Sequence, residues 1–475
     1  MSKPRTIEGR WWIHGDDKPP CFGILSLDSE SLVLAAKNLQ DCTPEEFWNT
    51  FLQKAQVSEV IHGQDKDKCD ITLFGCSCRQ SSPSIGLDSY HIGSLAGITN
   101  FRGNSWNEPR FQAARVNYTF LGEWLNRRFI EETKLDGDSM TVKFKFGDSL
   151  EFNPNASVRL KIERKTTATF PLNKFLAEEE YSVWFLFAEL KSAEEIRKKY
   201  IPVFLRLLCL LTGERVFTEE ISLFESNPFP GENVETPKPC ELLFRNGGHT
   251  KEKTRVSYML AHFCEIESSF DLILKRWFEC DERMRPVLDL YFAVLSNRDA
   301  NYQVVFLLLA HALEVYHARS SRFSSTERPE EAHEERLKMI FESTPERYKS
   351  WLKYKLKFSN QKTLNDRLRD ILDLCRDETQ RLASGIENFA DKVRDSRNYY
   401  THYSEKLLLE GNVVDGPELV RIRFIVEDLL KICLLKEIGI QGRPIERILA
   451  QSGATKFVHL DAPPSPKTDD PKILS

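Results

Sequence analysis

The stretch Arg394-Asp395-Ser396-Arg397-Asn398-Tyr399-Tyr400-Thr401-His402-Tyr403 decides how the rest of the chain is read. It sets a permanent cation, Arg397, five residues ahead of a titratable base, His402, with polar Asn398 and Thr401 between them. Such groups suit a phosphodiester. A guanidinium stabilises extra charge on phosphorus, and an imidazole titrating near pH ~6.5 carries protons close to neutrality. Leading into the stretch, Leu382, Ile386, Phe389 and Val393 recur at steps of four, three and four, the period of a helix with one face in a core. Ser396 and Arg397 take the next slots and Tyr400 resumes the apolar stripe. A guanidinium on the inward side is costly unless it meets an anion or a polar cleft, so Arg397 is placed for a partner.

Five residues of unbroken helix turn the chain about 500° and raise it about 7.5 Å, which leaves Arg397 and His402 roughly 140° apart. They do not converge within one copy. Either the helix breaks after Asn398, or the cleft is assembled from two copies whose motifs face each other. Arg394, Asn398 and His402 form a stripe at steps of four, which makes Arg394 a rival cation for the same cleft. The spacing alone is not specific. An Arg followed within a few residues by a His also occurs at Arg255 to His262, inside an apolar helix, and at Arg328 to His333, beside Pro329 and two glutamates that would repel phosphate.

Around the stretch, apolar residues recur at helical spacing through 256–278, 285–295, 302–318, 331–341, 364–374, 379–397 and 418–438, with short polar connections that predict an antiparallel bundle. The first half reads as β-rich. Phe22 to Leu27 and Ser31 to Ala35 predict a hairpin, and Asp70 to Cys78 predicts a further strand. Thr141 to Phe146 and Val158 to Ile162 alternate, apolar inward and Lys or Arg outward. Thr43 with Glu46 predicts a capped helix to Ala55, and 192–212 predicts another, interrupted by Pro202 and stopped by Gly213. Four prolines and a glycine between Ser226 and Cys240 mark a boundary. The fold class is therefore α+β: a β-rich domain over 1–225, a linker over 226–249, an all-α bundle over 250–449 and a disordered tail over 450–475.

At 475 residues the chain is long enough for two or three cores, and no run of apolar residues is long enough for a membrane span. The first sixteen residues hold no apolar signal core, and eleven scattered cysteines form no disulfide framework, so a cytoplasmic protein with reduced thiols and no membrane contact is expected. A net charge of -5 argues against a protein that coats nucleic acid, so RNA binding would need a local basic surface. Arg347 to Phe358 offers one. There Lys353, Lys355 and Lys357 interleave with Trp351, Tyr354 and other aromatics, although a helix with its rings in the core is the plainer reading.

His311, Glu314 and His317 stand at steps of three, not at the His-Glu-x-x-His spacing of a zinc site, and read as a packed polar seam in which Glu314 could fix an arginine of the cleft. Cys69, Cys76 and Cys78 lack a paired Cys-x-x-Cys arrangement and read as strand thiols. No metal and no cofactor is expected.

Arg397-Asn398-Tyr399-Tyr400-Thr401-His402, set late in a helical half, resembles the motif of the HEPN ribonucleases. Phe306 to Tyr316, Trp351 to Leu372, Gly9-Arg10-Trp11-Trp12 and Ile71-Thr72-Leu73-Phe74 narrow the resemblance to the ApeA-like anti-phage HEPN proteins. The resemblance implies a bundle that dimerises so that two Arg/His motifs line one cleft. It also implies metal-independent RNA cleavage, directed in ApeA-like proteins at tRNA, and a role in halting infection. On it, Arg397 and His402 become catalytic and Asn398 supporting. Arg394, Lys353, Lys355, Lys357 and Tyr399 are the candidate RNA contacts, Glu314 a support, and a phage product a candidate trigger for the β-rich half. The rival expectations are a non-catalytic RNA-binding or dimerisation module, which would shift RNA without cutting it, and a metal hydrolase on the His311 helix, which a chelator would silence.

Overall fold

Alternation of apolar and polar residues gives strands such as Val158–Thr169 one face for a core, and the computed structural model of the chain shows where such faces lie. It describes residues 5–14, 21–27, 32–37, 60–79, 89–93, 96–105, 107–127, 130–137, 139–145, 148–169, 176–229, 237–244, 256–297 and 299–454. The chain divides into two compact units, Met1–Phe278 and Glu279–Ser475.

In the first unit, fourteen described strands join in one sheet and two more form a separate ribbon. The hairpin expected near residue 28 is present, Cys21–Leu27 pairing antiparallel with Leu32–Lys37 in the register Leu25↔Leu34. Strands from residues before 100 make one arm of the large sheet, and Arg110–Tyr118, Val158–Thr169, Leu176–Ser192 and Thr218–Phe224 lie in the other. Cys240–Phe244 sits between the arms, bonded to Thr218–Phe224 on one side and Ala96–Thr99 on the other. This strand falls inside 226–249, the stretch expected to be a linker. Its Cys240, Leu242 and Leu243 are buried, which the prolines just before it obscured.

Trp11 is fully buried with Leu25, Leu34, Ile61 and Leu73, and its indole N–H donates to the Gly23 carbonyl at 3.2 Å. Gly63 makes room for that ring, since a Cβ there would lie 2.3 Å from Trp11 Cε3. The strand expected over Asp70 to Cys78 is divided at Gly75, whose φ of 59° is left-handed. Val158, Leu160 and Ile162 point inward as expected. Of the Thr141 to Phe146 pattern, Phe146 lies outside the described residues and the rest does not bury as expected. It belongs to the two-stranded ribbon, Ile130–Asp136 with Ser139–Phe144, where Val142 is only half-buried and Leu135 and Met140 are exposed. The helix expected over Thr43 to Ala55 lies outside the described residues.

The helical stretch at 192–212 is capped by Ser192, whose hydroxyl accepts from Glu195 N–H at 3.1 Å. Pro202 cannot donate to the turn before it, and the chain answers with a π-helical turn, Ile196–Tyr200, before Ile201–Thr212 runs to the left-handed Gly213.

The bundle contains α1 (Phe270–Ser296), α2 (Tyr302–Arg319), α3 (Glu330–Ser343), α4 (Glu346–Leu356), α5 (Leu364–Leu374), α6 (Arg376–Leu382), α7 (Phe389–His402), α8 (Glu405–Glu410), α9 (Gly416–Glu437) and α10 (Arg443–Gln451). Two separate helices were expected where α1 runs through Pro286. Buried Cys280, Met284, Val287, Leu288, Tyr291 and Leu295 continue the stripe and outweigh a proline penalty of about 3 kcal/mol. The helix expected over 379–397 is instead two helices. Ser384, Gly385 (φ 77°) and Asn388 (φ 53°) turn the chain between α6 and α7. Leu382, Phe389 and Val393 are still buried, but from two helices rather than one face.

Apolar on nearly all sides, α2 packs against α5, α7 and α9 and forms the centre of the bundle. Of the expected tail, Ser452 and Ala454 are buried and the Ser452 hydroxyl donates to Asp428 at 2.6 Å. Residues 455–475 lie outside the described residues.

Candidate active site

The site is built where α7 crosses the centre of the bundle. Phe389, Val393, Ser396 and Tyr400 seat α7 with one face buried, and Ser396 is fully covered. Three polar groups on α7 then fix the segment between α8 and α9. Asp395 accepts from Asn412 N–H at 2.9 Å, Ser396 Oγ accepts from Val414 N–H at 3.0 Å, and the Tyr400 hydroxyl donates to Val414 O at 2.9 Å. No local pattern marks these partners, because Asp395 and Asn412 are seventeen positions apart across an intervening helix.

Arg397 is half-buried on this frame. Its Nη2 donates to Glu314 Oε2 of α2 at 3.0 Å, and its Nη1 donates to Asn398 Oδ1 at 3.0 Å. A guanidinium carries five N–H donors in a planar fork, so these two bonds set its orientation and leave donors for an anion. Glu314 also faces His311 Nδ1 at 3.7 Å, and the Arg367 guanidinium of α5 donates to the Glu314 backbone carbonyl at 3.4 Å. The expectation that Glu314 fixes an arginine therefore has its geometry.

The helix does not break after Asn398. It continues to His402 and is closed by Tyr403 in the left-handed region, φ 49°. Its last turn is further held by Thr401 Oγ donating to Arg397 O at 2.7 Å. His402 is consequently exposed, about 7.5 Å along the axis from Arg397 and roughly 140° around it. Of the two arrangements open on the sequence, the one needing a break is excluded. Tyr399 is half-buried with its ring against Tyr400 and Tyr403, at centroid separations of 5.1 and 5.6 Å.

Arg394 is held within its own helix by Asp391 and Asp395, both at 2.7 Å. The bond to Asp395 raises the guanidinium's pKa, and two carboxylates leave it little attraction for a phosphate. That counts against the rival cation. Burial pushes Asp395 up, but the bonds from Arg394 and Asn412 outweigh it and hold the carboxyl below the usual range.

His311, Glu314 and His317 do not share a partner. His311 is exposed, Glu314 turns to Arg397, and His317 is buried with Nε2 2.7 Å from Asp370 and its ring stacked on Phe323. Burial lowers the His317 pKa against the raising effect of Asp370. Among the described residues no cluster of three metal-ligating side chains occurs. The other Arg-to-His spacing that can be followed ends differently: His333 is buried, 3.1 Å from Arg336. Lys353, Lys355 and Lys357 are exposed, as are the aromatic rings around them, so the reading that placed those rings in the core fails.

A bundle whose central helix packs against an Arg-Asn-x-x-x-His helix, joined in sequence to a strand-rich unit, defines a class of protein. The Apea-like HEPN family model matches residues 307–443, and the model of ApeA N-terminal domain 1 matches residues 6–277, more than half the chain. The chain belongs to the ApeA-like HEPN proteins. No curated protein and no solved structure matches it. HEPN domains are generally ribonucleases that dimerise and bind RNA, and an ApeA-like HEPN domain points to a nuclease-type anti-phage function. None of the described helices is long and apolar enough to cross a membrane.

Proposed function

We propose that the chain is a metal-independent endoribonuclease that cuts cellular RNA, tRNA in particular, and so halts infection at the cost of the infected cell. The ribose 2'-oxygen attacks phosphorus, forming a P–O2' bond as the P–O5' bond breaks. His402 accepts the proton of the 2'-hydroxyl or delivers one to the departing 5'-oxygen. Arg397 stabilises the added charge on the pentavalent phosphorus, and Asn398 holds the guanidinium in place. Tyr399, Lys353, Lys355 and Lys357 contact the RNA. The N-terminal unit senses a phage product or restrains the nuclease.

The observation that carries this reading is a guanidinium buttressed by Glu314 on an unbroken helix that ends at an exposed histidine. The two groups face different ways, so in this reading a second copy completes the cleft, and exposed Tyr403, Leu408 and Leu409, soon after His402 in sequence, give it apolar groups to meet. The test is cleavage of cellular tRNA by His402→Ala and Arg397→Ala, each expected to lose about a hundredfold or more. Undiminished cutting by either removes the assignment. The same divergence of Arg397 and His402 is what a non-catalytic RNA-binding or dimerisation module would also show. Purified wild-type protein that shifts RNA on a gel and never cuts it, with any trigger, would favour that second reading.

A further inference from the structure

The helix α4 is basic and aromatic at once. From Glu346 to Phe358, two residues past its end, the segment carries Arg347, Lys349, Lys353, Lys355 and Lys357 against one carboxylate, in a chain whose net charge is -5. No residue of α4 is buried, and Tyr348, Trp351, Tyr354 and, just past its end, Phe358 are 47, 60, 76 and 62% exposed. Burying one such ring stabilises a protein by about 1.5–3 kcal/mol, so four left in water on one short segment are unusual for a chain that could have turned them inward.

At about 100° per residue, Tyr348, Trp351 and Tyr354 fall within roughly 120° of arc. Arg347 and Lys355 fall inside the same arc, while half-buried Lys349, Leu352 and Leu356 face the other way. Cations lie directly on the rings: the Arg347 guanidinium is 4.6 Å from the centre of Tyr348, and Lys357 Nζ is 5.1 Å from that of Phe358.

We infer that this stripe is a stacking platform for unpaired bases, so that the RNA taken by the nuclease is one with a single-stranded stretch. The inference rests on the RNA substrate proposed above and adds which form of RNA is selected. Flat π faces spaced along a helix stack on any exposed base, and interleaved cations follow the backbone between them. A duplex presents phosphates but no base faces, so it can use only the cations. A membrane surface would favour a helix whose apolar arc is free of charge, which Arg347 and Lys355 prevent here.

The test uses full-length protein and a labelled oligonucleotide methylated at every 2'-oxygen, single-stranded or annealed to its complement, with anisotropy as the readout. Lacking a free 2'-hydroxyl, the probe cannot be cut by the proposed chemistry, so binding is read whether or not the chain is a nuclease. The single strand is expected to bind about tenfold or more tighter than the duplex. Trp351→Ala and Tyr354→Ala are each expected to weaken it about tenfold with duplex binding unmoved, and Trp351→Phe to hold most of the affinity. Equal affinity for both forms, or no loss in the two alanine variants, overturns the inference. Preference for phosphatidylserine vesicles over the oligonucleotide, abolished by the same variants, overturns it in favour of a membrane. Ring-dependent binding by a protein that cuts no RNA would sink the nuclease reading and leave the platform standing. Wild-type cutting and KM in the Trp351→Ala, Tyr354→Ala double variant would do the reverse.

Discussion

Arg397 of α7 and Glu314 of α2 meet through a 3.0 Å hydrogen bond that spans eighty-three positions of sequence. Both side chains keep about a quarter of their surface exposed, and the bond fixes one edge of the planar guanidinium. Glu314→Ala is accordingly expected to lower single-turnover cleavage about tenfold to a hundredfold while RNA affinity moves only a few-fold. Glu314→Gln, which keeps an acceptor, should fall between. A thermal melt that collapses in step with activity would show that Glu314 serves the fold instead.

Mixing inactive proteins tests the shared cleft. Arg397→Ala and His402→Ala subunits, combined under conditions that let copies exchange, are expected to recover a measurable part of wild-type cleavage, since the shared cleft of a mixed dimer keeps one arginine and one facing histidine. Leu409→Asp, at an 84% exposed position in the helix that follows the motif, should shift wild-type protein toward monomer in sedimentation and abolish cutting. Recovery nowhere, with Leu409→Asp fully active as a monomer, would mean that each copy works alone.

Asp395 gives a pH signature. Its folded pKa lies below the ordinary carboxylate value, so its contribution is full above about pH 4 and is lost as pH falls through the folded value. Asp395→Asn should cost about 2 kcal/mol at neutral pH, from weakened bonds to Arg394 and Asn412. In denaturant melts the gap between variant and wild type should stay level from pH 8 to about pH 5 and close below about pH 4. A gap that widens in acid contradicts the sign.

Changing Lys353, Lys355 and Lys357 together to Glu should weaken RNA binding and flatten its dependence on salt. Each lost phosphate contact removes about 0.7 from the log–log slope on a single strand, so a change of about 2 is expected. An unaltered slope returns those lysines to ordinary surface.

What the sequence disclosed follows from range. The order of strands then helices, the Arg397/His402 pair and the limits of α2, α5 and α9 are written in local periodicity and caps, and each was readable to within a few residues. The contact of Glu314 with an arginine is also open to sequence reasoning, because a carboxylate on an apolar helix needs a cation. The turn at Ser384 and Gly385 is masked in the sequence because Leu382, Phe389 and Val393 keep their spacing across it. Asp395 and Asn412, the pairing of Arg394 inside its own helix and the outward turn of Trp351 were hidden. They depend on which neighbours the tertiary fold brings close, and period alone does not reveal that.

The strand Cys240–Phe244 works like the last stitch of a seam. A fragment ending at residue 225, where composition alone invites a cut, would leave Thr218–Phe224 and Ala96–Thr99 each with a raw row of amide and carbonyl groups facing water, the sort of border on which chains zip to one another. Anyone wishing to study the strand-rich unit in isolation has to carry the chain beyond this stitch, or should expect a precipitate instead of a domain.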